Sequence, residues 1–169
     1  MISRPQTDEY SAYASRYVDL VGNEPILEIL KRKKDVVYNL FKGIDADKAM
    51  RSYAEGKWTI KQVLGHIIDT ERVHSYRALA FSHEAIELPG FDQEVYMANA
   101  TFNLRTLEDI ANEYKTVRES TLFLFGSMSE EQLTRKGIAS GSPVSVRAFA
   151  YMIAGHEMHH IKILKERYL

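Results

Sequence analysis

Apolar residues recur every three or four positions in four long stretches of this chain, the spacing of one buried face on an α-helix. The first stretch runs from about Glu24 to Lys42, with Ile26, Leu27, Leu30, Val37, Leu40 and Phe41 on one side. Asn23 is placed to cap it, Pro25 is tolerated in a first turn, and Gly43 stops it. The second runs from about Ile60 to Phe81, and Thr59 with Gln62 three residues on reads as a capping box. The third runs from about Leu107 to Phe125, with start signals at Thr106 and Asp109. The fourth runs from about Val146 to Glu166, capped by Ser145, and turns Phe149, Met152, Ile153 and Ile163 one way. Four amphipathic helices of this length predict an all-α four-helix bundle.

Two irregular connections separate the later helices. Residues 82–105 are long for a link inside a bundle, and such loops are often lids or binding loops. Residues 126–144 are expected to hold a short turn of helix after Ser129. Residues 1–23 precede the first long helix and read as an arm that docks on the bundle, with Tyr10, Tyr13 and Tyr17 either docking it or lining a site. The whole of 1–169 is read as a single domain, a length that can bury a core without staples.

Charge and composition then remove function classes. The 22 Lys and Arg against 23 Asp and Glu give a net charge of −1, which argues against a nucleic-acid partner. Lys31-Arg32-Lys33-Lys34 reads as a solvated helix face. The polar start, Met1 to Tyr10, is unlike a signal peptide. The apolar run Val146 to Gly155 is short and broken by Arg147, so no membrane span is expected and a cytoplasmic protein is the default. There is no cysteine, hence no disulfide, thiolate metal site or protein thiol nucleophile. Any metal must be held by nitrogen and oxygen, and any thiol must come from outside.

The six histidines are where chemistry concentrates. His156 and His160 are four residues apart in the fourth helix, one turn apart on its apolar face, and can converge on one ion. His159 falls at the edge of that face. A buried imidazole pair needs a partner, and a catalytic zinc-type site takes three protein ligands. The helical wheel places His74 nearer the centre of the second helix's apolar arc and His66 on its flank, so periodicity leaves the third ligand open between them. His83 lies past the expected end of that helix.

The segment Trp58-Thr59-Ile60-Lys61-Gln62-Val63-Leu64-Gly65-His66-Ile67-Ile68-Asp69-Thr70-Glu71 resembles the second-helix signature of the DinB-like (DinB/YfiT) superfamily. His156-Glu157-Met158-His159-His160 resembles its closing motif, and Leu88-Pro89-Gly90-Phe91-Asp92 and Gly141-Ser142-Pro143-Val144-Ser145-Val146-Arg147 look like one branch of it. The resemblance spans roughly residues 24–169 in the family's order. It implies a four-helix-bundle metalloprotein in which His66, His156 and His160 bind one divalent metal, a set suited to Zn, Ni, Fe, Co or Mn. The family often has Glu where this chain has Gln62, which removes a carboxylate base from that position.

Members it resembles include bacillithiol and mycothiol transferases and a mycothiol-dependent maleylpyruvate isomerase. The resemblance therefore implies a metal-dependent S-transferase for a small-molecule substrate. The metal would activate a low-molecular-weight thiol co-substrate, and the nucleophile it activates is the only catalytic group implied. Metal-assisted hydrolysis is the alternative, and a stress-related metal-binding protein without efficient catalysis is another. A purely structural bundle without metal is the fourth reading. Asp69, Glu71 and Glu157 are candidates to orient the ligand histidines, against the simpler reading of exposed charge. Arg77 and Arg147 are candidates to meet an anionic substrate. Relatives often pair, so a homodimer is implied.

Overall fold

A computed structural model describes residues 1–169. Three of the four expected helix starts operate as read. Thr59 Oγ1 accepts from the Gln62 backbone N–H at 3.2 Å while Gln62 Oε1 accepts from the Thr59 N–H at 2.9 Å, completing the capping box. Thr106 and Ser145 accept from the N–H groups of Asp109 and Ala148. Asn23 does not cap the first long helix. Pro25 takes the cap position with extended ψ, and its carbonyl accepts the N–H groups of Glu28 and Ile29. A proline has no N–H to leave stranded there.

In chain order the elements are α1 (Ala12–Val18), α2 (Ile26–Lys42), α3 (Ile60–His83), β1 (Glu87–Leu88), α4 (Gln93–Asn99), α5 (Leu107–Gly126), α6 (Glu130–Thr134), β2 (Lys136–Ala139), β3 (Ser142–Ser145) and α7 (Val146–Arg167). The four long helices match the expected stretches to within two residues at each end. No helix is long and apolar enough to cross a membrane.

α2 packs on α5, α3 packs on both α5 and α7, and α2 also touches α7. Cross-helix partners give the directions. Glu71 meets Arg118 and Ser75 meets Thr121, so α3 and α5 run parallel. Lys34 meets Glu119 and Lys42 meets Glu108, so α2 and α5 are antiparallel. His66 meets His156 and His74 meets Phe149, so α3 and α7 are antiparallel. A parallel α3–α5 pair forces the chain to return the length of a helix between them. A helix of this size rises roughly 30–36 Å, and that distance explains the length of the 82–105 connection.

The fold is not purely helical. The return segment adds β1, which pairs parallel with β2 (Glu87 opposite Ile138), and β2 pairs antiparallel with β3. Ser140 and Gly141 close the β2–β3 hairpin, both with positive φ (53° and 75°), as a two-residue primed turn requires. The expected helical turn after Ser129 is α6, with its own capping box.

The core has two apolar layers. One gathers Ile29, Leu30, Phe81, Phe125, Phe149 and Ile153 around the arm and sheet. The other gathers Phe41, Leu64, Ile67, Ile110 and Leu164 at the opposite end. Each such side chain contributes about 1.5–3 kcal/mol relative to exposure. Between the layers lies a buried polar belt that contains His66, Glu71, Arg118, His156 and Glu157.

Candidate metal centre

Because α3 and α7 run antiparallel, His66 on one faces His156 and His160 on the other. One ligand atom from each lies within 4.8 Å of the other two, and His66 Nε2 is 2.9 Å from His156 Nε2. The ring centroids are 4.5–4.8 Å apart. Tetrahedral zinc with bonds of 2.0–2.1 Å needs nitrogens roughly 3.3–3.4 Å apart, inside the range found.

Burial pushes the His66 pKa down to about 4. Burial, then the His66 and His159 rings, push His160 down to about 3. Burial and the neighbouring imidazoles hold His156 well below its ordinary value. All three rings are therefore neutral near pH 7 and offer the lone pairs a divalent ion takes. The donor set and its spacing fit such an ion.

Aromatic rings, not carboxylates, hold the imidazoles in place. The Trp58 ring sits 4.6 Å from His66 and stacks at 6.5 Å over His160, and Tyr17 meets His156 edge-on at 5.3 Å. The orienting role expected of Asp69, Glu71 and Glu157 is not what the structure shows. Asp69 is half-buried beside Arg72. Arg118 Nε and Nη2 donate to Glu71 at 2.8 and 2.9 Å, and Nη2 also donates to Glu157 Oε2 at 2.5 Å. Tyr114 donates to that same oxygen at 2.6 Å. Glu71 and Glu157 are thus neither exposed charges nor partners of the histidines. They are buried counterions of Arg118, a residue the charge pattern did not single out. Gln62 is engaged in the capping box.

A cavity of about 810 Å³ opens beside the histidines, between α3 and α7. His66 and His156 stand at one end of it, with Thr70, His74 and Arg77 further along α3 and Phe149 and Met152 on α7. Its mouth is built from Tyr13 and Tyr17 of α1, from 90–93 of the return segment, and from the hairpin. The tyrosines of the arm therefore line the cavity as well as pack on α7. Arg77 is in this wall. Its Nη2 donates to the Pro89 carbonyl at 2.6 Å, and burial lowers its pKa.

Arg147 is elsewhere. It donates to both carboxylate oxygens of Glu9 and to Ser3, fastening the arm to α7, so its expected anion-binding role does not stand. His74 and His66 are both buried, so burial does not separate them, but only His66 reaches the ligand cluster. His159 is half-buried with its ring 5.7 Å from Tyr17, and His83 ends α3 exposed to solvent.

A model of the DinB superfamily matches residues 29–164. The chain is 27% identical over 147 residues to a protein of Oceanobacillus iheyensis provisionally named a metal-dependent hydrolase, across 84% of each chain. Its fold is similar to that of YfiT from Bacillus subtilis, described as a probable metal-dependent hydrolase with an unusual four-helix bundle topology. The TM-score is 0.71 at 14% identity, over 97% of this chain and 90% of that one. It is also similar to the DinB-like protein YjoA from Bacillus subtilis, with a TM-score of 0.62 at 21% identity, over 83% of this chain and 87% of that one.

Proposed function

Because the chain belongs to the DinB superfamily, we propose that His66, His156 and His160 hold one divalent metal ion and that the protein transfers a low-molecular-weight thiol to an electrophile. The observation that carries this reading is the convergence of three neutral imidazoles, two of which, His66 and His156, line a cavity, with Glu71 and Glu157 paired to Arg118 rather than to the histidines. Zinc and nickel suit such a nitrogen set, as do iron, cobalt and manganese. A divalent ion in this donor set supplies Lewis acidity, which lowers the pKa of a thiol or water molecule that it holds.

The chain's own residues do the rest. Neutral imidazoles keep the site free of competing protons, and Trp58 and Tyr17 fix the rings and screen them from water. No carboxylate hydrogen-bonds a ligand histidine: Glu71 and Glu157 pair with Arg118, Glu157 Oε1 has no partner, and Asp69 lies 4.0 Å from Arg72. A thiol, with an ordinary pKa of about 8.5, needs little help to ionise, and the chain has no cysteine to compete with it. In the transfer, the thiol proton leaves to solvent and sulfur bonds to the electrophilic carbon. The leaving group departs with its bonding electrons. The 90–93 segment and the arm cover the space where that electrophile enters.

Hydrolysis is the second reading, favoured by the names carried by the relatives from Oceanobacillus iheyensis and Bacillus subtilis. Metal-reconstituted protein assayed with a panel of small thiols against a generic aryl halide, and with activated esters without thiol, separates the two. Thiol-dependent conjugation lost on chelation supports transfer. Thiol-independent ester cleavage supports hydrolysis. Metal binding with neither activity supports a binding protein.

A further inference from the structure

Four polar residues of α3 face the cavity in one row: His66, Thr70, His74 and Arg77. Their spacing of four, four and three residues keeps them within roughly 80° of arc. Only the first belongs to the histidine cluster. The other three are buried, at 4%, 7% and 6% exposure, and none is spent on another charged group. Thr70 Oγ1 and His74 Nδ1 have no hydrogen-bond partner in the protein. Arg77 has no carboxylate partner. Its bonds to the Pro89 carbonyl (2.6 Å) and Ser140 Oγ (3.4 Å) both use Nη2.

A buried guanidinium without a counterion, two unpartnered polar atoms and an apolar strip form a built site. Leaving such groups buried without partners costs free energy, and a bound molecule that pairs with them would recover it. Phe149 and Met152 of α7 and Val144 of the hairpin give the cavity an apolar strip, with His156 of α7 and Ser140 and Ser142 of the hairpin as its polar members. From His66 to Arg77 the helix rises roughly 16 Å, so a ligand that spans the row is elongated.

We propose that the cavity seats an elongated small molecule with an apolar body and a terminal carboxylate, the carboxylate on Arg77, a polar group of the body at Thr70 and His74, and the reacting end toward the histidines. The orientation of the reacting end rests on the functional reading above; the carboxylate seat does not. One guanidinium matches one carboxylate in charge and fork geometry.

The probes are octanoate and its uncharged analogue octanamide, titrated calorimetrically at pH 7 into the protein as purified and again after chelation. Octanoate is expected to bind about tenfold or more tightly than octanamide, both with and without metal. Arg77→Met should abolish the preference, and Arg77→Lys should keep part of it. Equal binding of the two probes, no binding of octanoate, or a preference that survives Arg77→Met would overturn the assignment. Should Arg77→Met fail to fold, the wild-type ratio and Arg77→Lys still decide. A protein that holds no metal but keeps the preference would refute the metal reading and leave the carboxylate seat standing.

Discussion

At the scale of single residues, the belt between the apolar layers divides into groups that are satisfied and groups that are not. Arg118 makes four hydrogen bonds to protein acceptors, while Thr70 Oγ1 makes none. Thr70→Val should therefore leave stability within about 0.5 kcal/mol of wild type, or raise it, since no hydrogen bond is lost. Chemical denaturation measures this, and a loss well beyond that range would show that Thr70 has a structural partner. The His156–His160 pair was legible because four-residue spacing on an apolar face is a local property. The third ligand was not, because His66 and His74 lie only two turns apart on one buried face and the wheel cannot see which turn faces α7. Glu71 and Glu157 were misread for a related reason. A carboxylate's burial depends on whether a cation from another helix reaches it, and Arg118 is distant in sequence.

At the scale of elements, that arginine ties the bundle together. From α5 it bonds Glu71 on α3, Glu157 on α7 and the Leu30 carbonyl on α2. Removing it leaves two buried carboxylates unpaired, so Arg118→Leu should destabilise the protein by about 3–5 kcal/mol. Adding Glu71→Leu and Glu157→Leu should recover much of that loss, because the uncompensated charges go too. Denaturant titration of the single and triple variants checks this, and a triple variant as unstable as Arg118→Leu would contradict it. A second element-level contact is α1 on α7. A Cβ at Gly155 would overlap the Tyr17 carbonyl oxygen, which is backbone and cannot swing aside. Gly155→Ala should displace α1, read as faster hydrogen exchange in residues 12–18 than in α5. The hairpin escaped the periodicity reading because four-residue strands are too short to show alternation, though Ser140-Gly141 is a turn dipeptide.

At the scale of the whole molecule, the topology explains both the long return segment and the cavity. Parallel α3 and α5 send the chain back along the bundle, and that segment, the arm and the hairpin wall off the space beside the histidines. The arm is held by a titratable contact. Burial raises the Glu9 pKa, but the hydrogen bonds from Arg147, Ser145 and the Gln6 backbone outweigh it and bring it from 4.5 to about 2. Its folded pKa is depressed, so its stabilisation is full above about pH 4.5 and disappears as pH falls toward 2. Amide signals of Ala14 and Val18, followed by NMR against Leu164, should show the arm loosening across that window before the bundle does. Arg147→Met should loosen it at neutral pH, and an arm indifferent to both changes would refute the contact's importance.

The central claim is a tri-histidine metal centre assembled across α3 and α7. Elemental analysis by mass spectrometry of tag-free protein, reconstituted and dialysed, tests it most directly. It should give one divalent ion per chain in the wild type and in His74→Ala, and a sharp loss in His66→Ala, His156→Ala and His160→Ala. No bound metal in the wild type, or metal retained by His66→Ala and lost by His74→Ala, would contradict it.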